Sequence, residues 1–125
     1  MAGTLVLDTL QNGAGTYSTS ADNVIRGSAK AWVAYSGSTQ SIFTSFNVSS
    51  VTFNSVGSYT VNMTTAMPNA NYAIFCTSQA GPSNVISCYV NNSNAKTTTA
   101  FSVLNYFGTG PSGFDVTTYM AVFSN

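Results

Sequence analysis

The chain contains no histidine and no glutamate, and only six of its 125 residues are charged, three basic and three acidic. Each of these gaps excludes something. Histidine is the side chain that most often serves as general base or metal ligand near neutral pH. The side-chain carboxylates are Asp8, Asp22 and Asp115 alone. Their spacing does not suggest the paired carboxyls of a glycosidase, and no D-x-D-x-D-G pattern marks a calcium loop. Each aspartate is expected to serve a turn or to lie solvated. A Ser–Lys dyad through Lys30 or Lys96 has no motif behind it. The chain is therefore expected not to be an enzyme and to use no metal or cofactor. With a formal net charge of zero, it lacks the clustered Lys and Arg that bind nucleic acid or anionic lipid. No apolar run approaches the roughly 20 residues that span a bilayer. The start, MAGTLVLDTL, has neither the basic n-region nor the apolar stretch of a signal peptide. Nucleic-acid partners, membrane insertion and export are thus not expected.

What the chain does contain is Ser, Thr, Asn and Gln, which make up 51 of 125 residues. Its surface must be built from hydroxyls and amides. At 44% hydrophobic and 13% aromatic residues it is too apolar for disorder, and its length suits one domain. Leu and Ile number only four each, while Val, Thr, Tyr and Phe, the residues that fit a pleated surface, dominate. No apolar 3.6-residue period persists beyond two turns. Short alternating runs separated by Gly, Pro, Asn and Ser predict an all-β fold, an antiparallel β-sandwich or jelly-roll-like barrel.

Residues 1–27 read as an N-terminal strand, Thr4–Asp8, followed by a Gly- and Ser-rich arm or linker; residues 28–125 read as the β-sandwich domain. Strands are predicted at Ala29–Tyr35, Ser41–Asn47 with Ser50–Phe53 as one bent strand, Ser58–Thr64, Tyr72–Ser78, Asn84–Val90, Thr97–Leu104 and Asp115–Phe123. Ala31, Val33 and Tyr35 share one face, with Trp32 and Ala34 on the other, so this strand is expected to be covered on both sides, and Trp32 together with Tyr35 on the opposite face to serve both a core and an interface. Tyr59, Val61 and Met63 form an inward stripe, and Thr60, Asn62 and Thr64 point out. A hairpin turns through Asn54–Gly57, whose Asn and Gly tolerate a left-handed backbone. A second is predicted through Gln79–Ser83. Symmetry about Pro82 would set Cys76 opposite Cys88, either as a cross-strand disulfide or as two small buried hydrophobes. The lack of an export signal favours the second. The sequons at Asn47, Asn62 and Asn91 carry little weight in so Asn-, Ser- and Thr-rich a chain.

Three stretches, SAKAWVAYSG (28–37), SFNVSSVTFNSVGSYTVNMTTAMPNANYAIF (45–75) and VTTYMAVF (116–123), resemble the small β domain at the C-terminal end of tail-fibre-like proteins of tailed bacteriophages, especially those of marine bacteria and cyanobacteria. The start, AGTLVLDTLQ, is similar to short stand-alone members. Where members often carry an Arg this chain has Phe43-Thr44, and where they often have a charged turn it has Asn54–Gly57, so this copy is unusually neutral. The resemblance implies a virion-associated structural protein, assembled in the host cytoplasm as a homotrimer, with other virion proteins and a host-surface glycan as partners. It assigns no catalytic residue.

The candidate contacts are Tyr106 and Phe107, placed in a predicted loop over Asn105–Gly113, together with Asn91, Asn92 and Asn94 in another. Loops on a rigid β scaffold are the usual carriers of binding groups. A subunit interface is the equal alternative for the two aromatics, and plain turns the commoner role for the asparagines. The alternative function is that of a capsid decoration (cement) protein that binds the phage shell, which the length of the chain favours.

Overall fold

The computed structural model describes residues 3, 5–79, 85–108 and 112–125. The chain forms β1 (Thr9–Gln11), β2 (Ser18–Ser20), α1 (Ala21–Gly27), β3 (Ala31–Ser36), β4 (Ser41–Phe46), β5 (Val48–Ser55), β6 (Ser58–Met63), β7 (Ala73–Ser78), β8 (Ile86–Val90), β9 (Ala100–Phe107) and β10 (Thr117–Phe123). Two four-stranded antiparallel sheets, ordered β4-β3-β10-β7 and β5-β6-β9-β8, pack face to face as a β-sandwich. No strand pair joins the two sheets among the described residues, so the barrel alternative is not formed. Among those residues no helix is long and apolar enough to cross a membrane.

Alternation builds the interior. Ala31, Val33 and Tyr35 of β3, Tyr59, Val61 and Met63 of β6, Phe101 and Val103 of β9, and Met120 and Val122 of β10 all point inward and are buried. Each fully buried valine or aromatic stabilises the fold by about 1.5–3 kcal/mol. The expected β5–β6 hairpin forms, with Val51 opposite Val61 and Phe53 opposite Tyr59. Gly57 supplies its turn with φ +73°.

Between β4 and β5 the chain passes from one sheet to the other through Asn47 alone, at φ +54°. The Asn47 Nδ2 donates to the carbonyls of Lys30 (3.0 Å) and Thr65 (3.2 Å), and its Oδ1 accepts from the Thr65 N–H at 2.7 Å. The predicted bent strand is thus two strands, one in each sheet, around a pinned asparagine corner.

Several expectations need correction. The strand expected at Thr4–Asp8 (Thr4 itself lies outside the described residues) is not formed over Leu5–Asp8; pairing starts at Thr9, in a hairpin with β2. The fold is mostly β rather than all-β, because α1 follows. The Ser20 Oγ accepts from the Asn23 N–H at 3.2 Å at its start, Asp22 lies in its first turn and Arg26 in its last, as the helix dipole favours. Seven residues with β-branched Val24 and Ile25 are too few to register as a helical period. The Gln79–Ser83 hairpin is not formed either. Its turn residues Ala80–Ser83 lie outside the described residues, but β7 pairs with β10 and β8 with β9, so the segment connects the two sheets. Finally, β3 is covered on one side only: Trp32 stays 39% exposed on the outer face.

Candidate functional site

The even positions of β9 turn away from the interior, and with them the second sheet presents an outer face made of hydroxyls, amides and tyrosine rings. The Asn62 Nδ2 donates to Ser50 Oγ (3.0 Å) and Thr52 Oγ1 (3.1 Å), and the Asn54 Nδ2 donates to Thr60 Oγ1 at 2.9 Å. Thr60 and Ser102 share a hydrogen bond of 2.8 Å. The array thus runs across β5, β6 and β9, with no charged side chain in it. On β8 and β9, Tyr89 lies opposite Leu104, and its ring stands 6.4 Å from that of Tyr106.

This geometry places the candidate residues differently from one another. Tyr106 and Phe107 are not in a loop: β9 continues through both, so the predicted loop over Asn105–Gly113 starts later, and its Thr109–Pro111 portion lies outside the described residues. Tyr106 stands on the outer face beside Tyr89. Phe107 is exposed at the strand's end, with its ring 5.7 Å from Phe114. Asn91 is buried and its Oδ1 accepts from the Ser93 N–H at 2.9 Å, forming the turn after β8. Asn92 and Asn94 are exposed, and the Asn94 Nδ2 reaches toward Ser102 Oγ at 3.5 Å. The structure therefore brings Asn94 and Tyr106 to one face, about 13 Å apart along β9 by the spacing of Ser102 and Tyr106. Tyr89 was not singled out from the sequence, although its alternation with Cys88 and Val90 already placed it outward.

Among the described residues two polar clusters lie between the sheets or at their edge. Asn105 is 0% exposed and joins the sheets: its Oδ1 accepts from Ser78 Oγ and its Nδ2 donates to Thr118 Oγ1, both at 2.6 Å. Beside it Cys76 and Cys88, both free thiols, face each other from opposite sheets. Interaction with the Cys88 thiol lowers the pKa of Cys76, while interaction with Cys76 and burial push Cys88 up. At the second cluster the Asp115 Oδ1 accepts from the Gly57 N–H (2.8 Å) and the Tyr59 hydroxyl (2.6 Å). This corrects the expectation of a solvated or turn role: Asp115, in the segment just before β10, ties that segment to the β5–β6 turn. Burial, then the bond to Asp115, raises the pKa of Tyr59. Asp8 and Asp22 are exposed in the N-terminal segment.

The first sheet has an outer face of another kind. Its register sets Phe46, Trp32, Ala121 and Phe75 in one row across the four strands, and Thr44, Ala34, Tyr119 and Thr77 in the next. Alanines at the centre, between rings at the sides, leave a groove of about 660 Å³. No charged side chain lines it. The sequence signal for this groove is a strand that is apolar at both parities, as in β3 and β10.

Comparison of the chain with family models, with curated proteins and with solved structures finds no match.

Proposed function

We propose that the chain is a non-enzymatic structural protein of a tailed-bacteriophage virion: a tail-fibre or receptor-binding type β domain that assembles as a homotrimer and adheres to host-surface glycan. The observation that carries this reading is the uncharged outer face of the second sheet, an array of hydroxyls and amides edged by Tyr89 and Tyr106. Glycans present neutral hydroxyls that pair with Ser, Thr and Asn, and C–H faces that lie well on an aromatic ring. The resemblance of residues 28–37, 45–75 and 116–123 to virion proteins points the same way. So does the engagement of Asp115 by Gly57 and Tyr59, which leaves that carboxylate holding the fold together.

Binding of the purified chain to polysaccharides from the surface of the host bacterium tests this reading. Tyr89→Ala and Tyr106→Ala are expected to weaken binding by about 1 kcal/mol or more each while leaving the oligomer intact. Failure of the native chain to bind, or variants that bind as it does, would remove the adhesion role.

The capsid-decoration reading is favoured by a different observation. Leu5, Val6, Tyr17 and Ile25 leave an apolar surface uncovered on the N-terminal segment, suited to contact with a shell. The position of the chain in a particle map separates the two. A fibre end would hold on the order of tens of copies and a shell on the order of hundreds, as closed symmetric assembly dictates.

A further inference from the structure

The groove on the first sheet and the N-terminal segment are two uncovered apolar surfaces on one chain. We infer that the groove between Trp32, Phe75 and Tyr119 is the seat for the N-terminal segment of a second copy of this chain, with Val24 and Ile25 of that copy lying on its floor of Ala34 and Ala121. This rests on the homo-oligomer proposed above and specifies its contact.

Three observations select this occupant. The first is chemistry. Rings wall the groove and no charge lines it, so it offers a charged partner little to bond with and an aliphatic surface a large apolar contact. Apart from Tyr17, the segment's uncovered apolar residues are aliphatic: Leu5, Val6, Leu7, Leu10, Val24 and Ile25, of which Ile25 is 61% exposed. The second is area. The chain exposes 7648 Å², whereas a compact monomer of 13.0 kDa exposes about 6,300 Å². The excess of about 1,300 Å² exceeds the roughly 800 Å² that each partner contributes to a standard interface. The third is the tether. The Ser28 N–H donates to the Val24 carbonyl at 3.0 Å, the Lys30 Nζ donates to the Ile25 carbonyl, and the Lys30 N–H donates to the Val122 carbonyl at 2.7 Å. The end of α1 is thereby tied through Lys30 to β10, and no described residue of α1 lines its own chain's groove. A segment-to-groove contact joins two different patches, so it is heterologous, and it repeats around a ring until the rotation closes.

The test uses the full chain carrying Thr77→p-benzoylphenylalanine in the groove, co-refolded as an equal mixture of light and ¹⁵N-labelled copies, irradiated and digested. Cross-links from position 77 to residues 5–25 that pair a light with a heavy peptide are expected. Same-isotope pairs alone would place a chain's own segment in its groove, and cross-links to any other region, or none from an intact oligomer, would equally overturn the inference. Native mass spectrometry reads the stoichiometry separately. A dimer or larger ring with mixed-isotope pairs keeps the contact and overturns the trimer; a trimer without them overturns the contact alone; a monomer at micromolar concentration overturns both. As a second measurement, Ile25→Asp and Phe75→Asp, both at exposed positions, should each raise the dissociation constant about tenfold or more, because a charge would be buried unpaired. The circular dichroism of both variants should stay native. An unchanged constant in either variant would overturn the inference.

Discussion

An interior tyrosine hydroxyl stabilises a fold only where something accepts its proton, and this core contains both outcomes. The rings of Tyr35 and Tyr59 meet edge to face, 5.2 Å between centroids. The Tyr59 hydroxyl donates to Asp115, whereas the Tyr35 hydroxyl is buried with no partner among the described residues. Tyr59→Phe should therefore cost about 1–3 kcal/mol, and Tyr35→Phe should be neutral or stabilising; urea denaturation of the two variants makes the comparison. Tyr72 supplies a pH dependence. Its hydroxyl donates to the Thr97 and Ala100 carbonyls at 2.8 and 3.0 Å, and burial pushes its pKa from 10.0 up to about 12. A phenol whose folded pKa is raised contributes its full stability below pH 10 and loses it as the pH climbs toward 12. The stability gap between the native chain and Tyr72→Phe should thus be widest near pH 8 and shrink as pH 12 is approached. A gap that stays constant would show that the phenol does not titrate differently in the fold. Lys96, whose Nζ stands 4.7 Å above the Tyr72 ring, keeps a ring beneath it in both proteins.

At the scale of elements, the β5–β6 turn concentrates several demands on one residue. Gly57 has φ +73°, and a Cβ there would lie 2.5 Å from both the Asn105 carbonyl oxygen and the Phe114 nitrogen. Gly57→Ala is expected to destabilise by about 1–3 kcal/mol from backbone strain alone, with the steric clash in addition. Thermal unfolding measures this, and a midpoint equal to the native one would contradict it. The position of this turn was legible in the sequence, because Asn54 and Gly57 sit between two alternating runs. The pairing of β7 and β8 was not. A short Gly-Pro segment between two strands reads as a hairpin, yet each strand finds its partner in a different sheet, β10 for one and β9 for the other. β9 is the next strand after β8, but β10 lies far along the chain from β7, and no local pattern records that pair. Cys76 and Cys88 still meet, across the sandwich rather than along a ladder.

For the whole molecule the telling feature is that both sheets have outer faces that water alone does not explain. One is hydroxyls and amides with two tyrosines; the other is ring-walled and uncharged. Trp32 belongs to the second, so Trp32→Ala should cost less than the roughly 3–5 kcal/mol of a buried aromatic in folding, yet weaken self-association. Paired measurements of unfolding and of oligomer mass against concentration make the distinction, and a large folding loss with unchanged association would place Trp32 in the core after all.

The sequence by itself determined which side of β6 faces inward, because a period of two puts Tyr59, Val61 and Met63 on one parity and Thr60 and Asn62 on the other; at β3, apolar at both parities, it grouped Val33 with Tyr35 and left the inward side to the structure. It determined equally that the surface would be uncharged. Tertiary structure alone decided which strands share a sheet, that Asn105 would be a buried anchor and Asp115 a half-buried one, and that the second apolar parity of β3 and β10 would line an open groove. Alternation specifies a face, whereas a partner strand is chosen by contacts between residues distant in the chain, whose closure entropy and packing no local window contains.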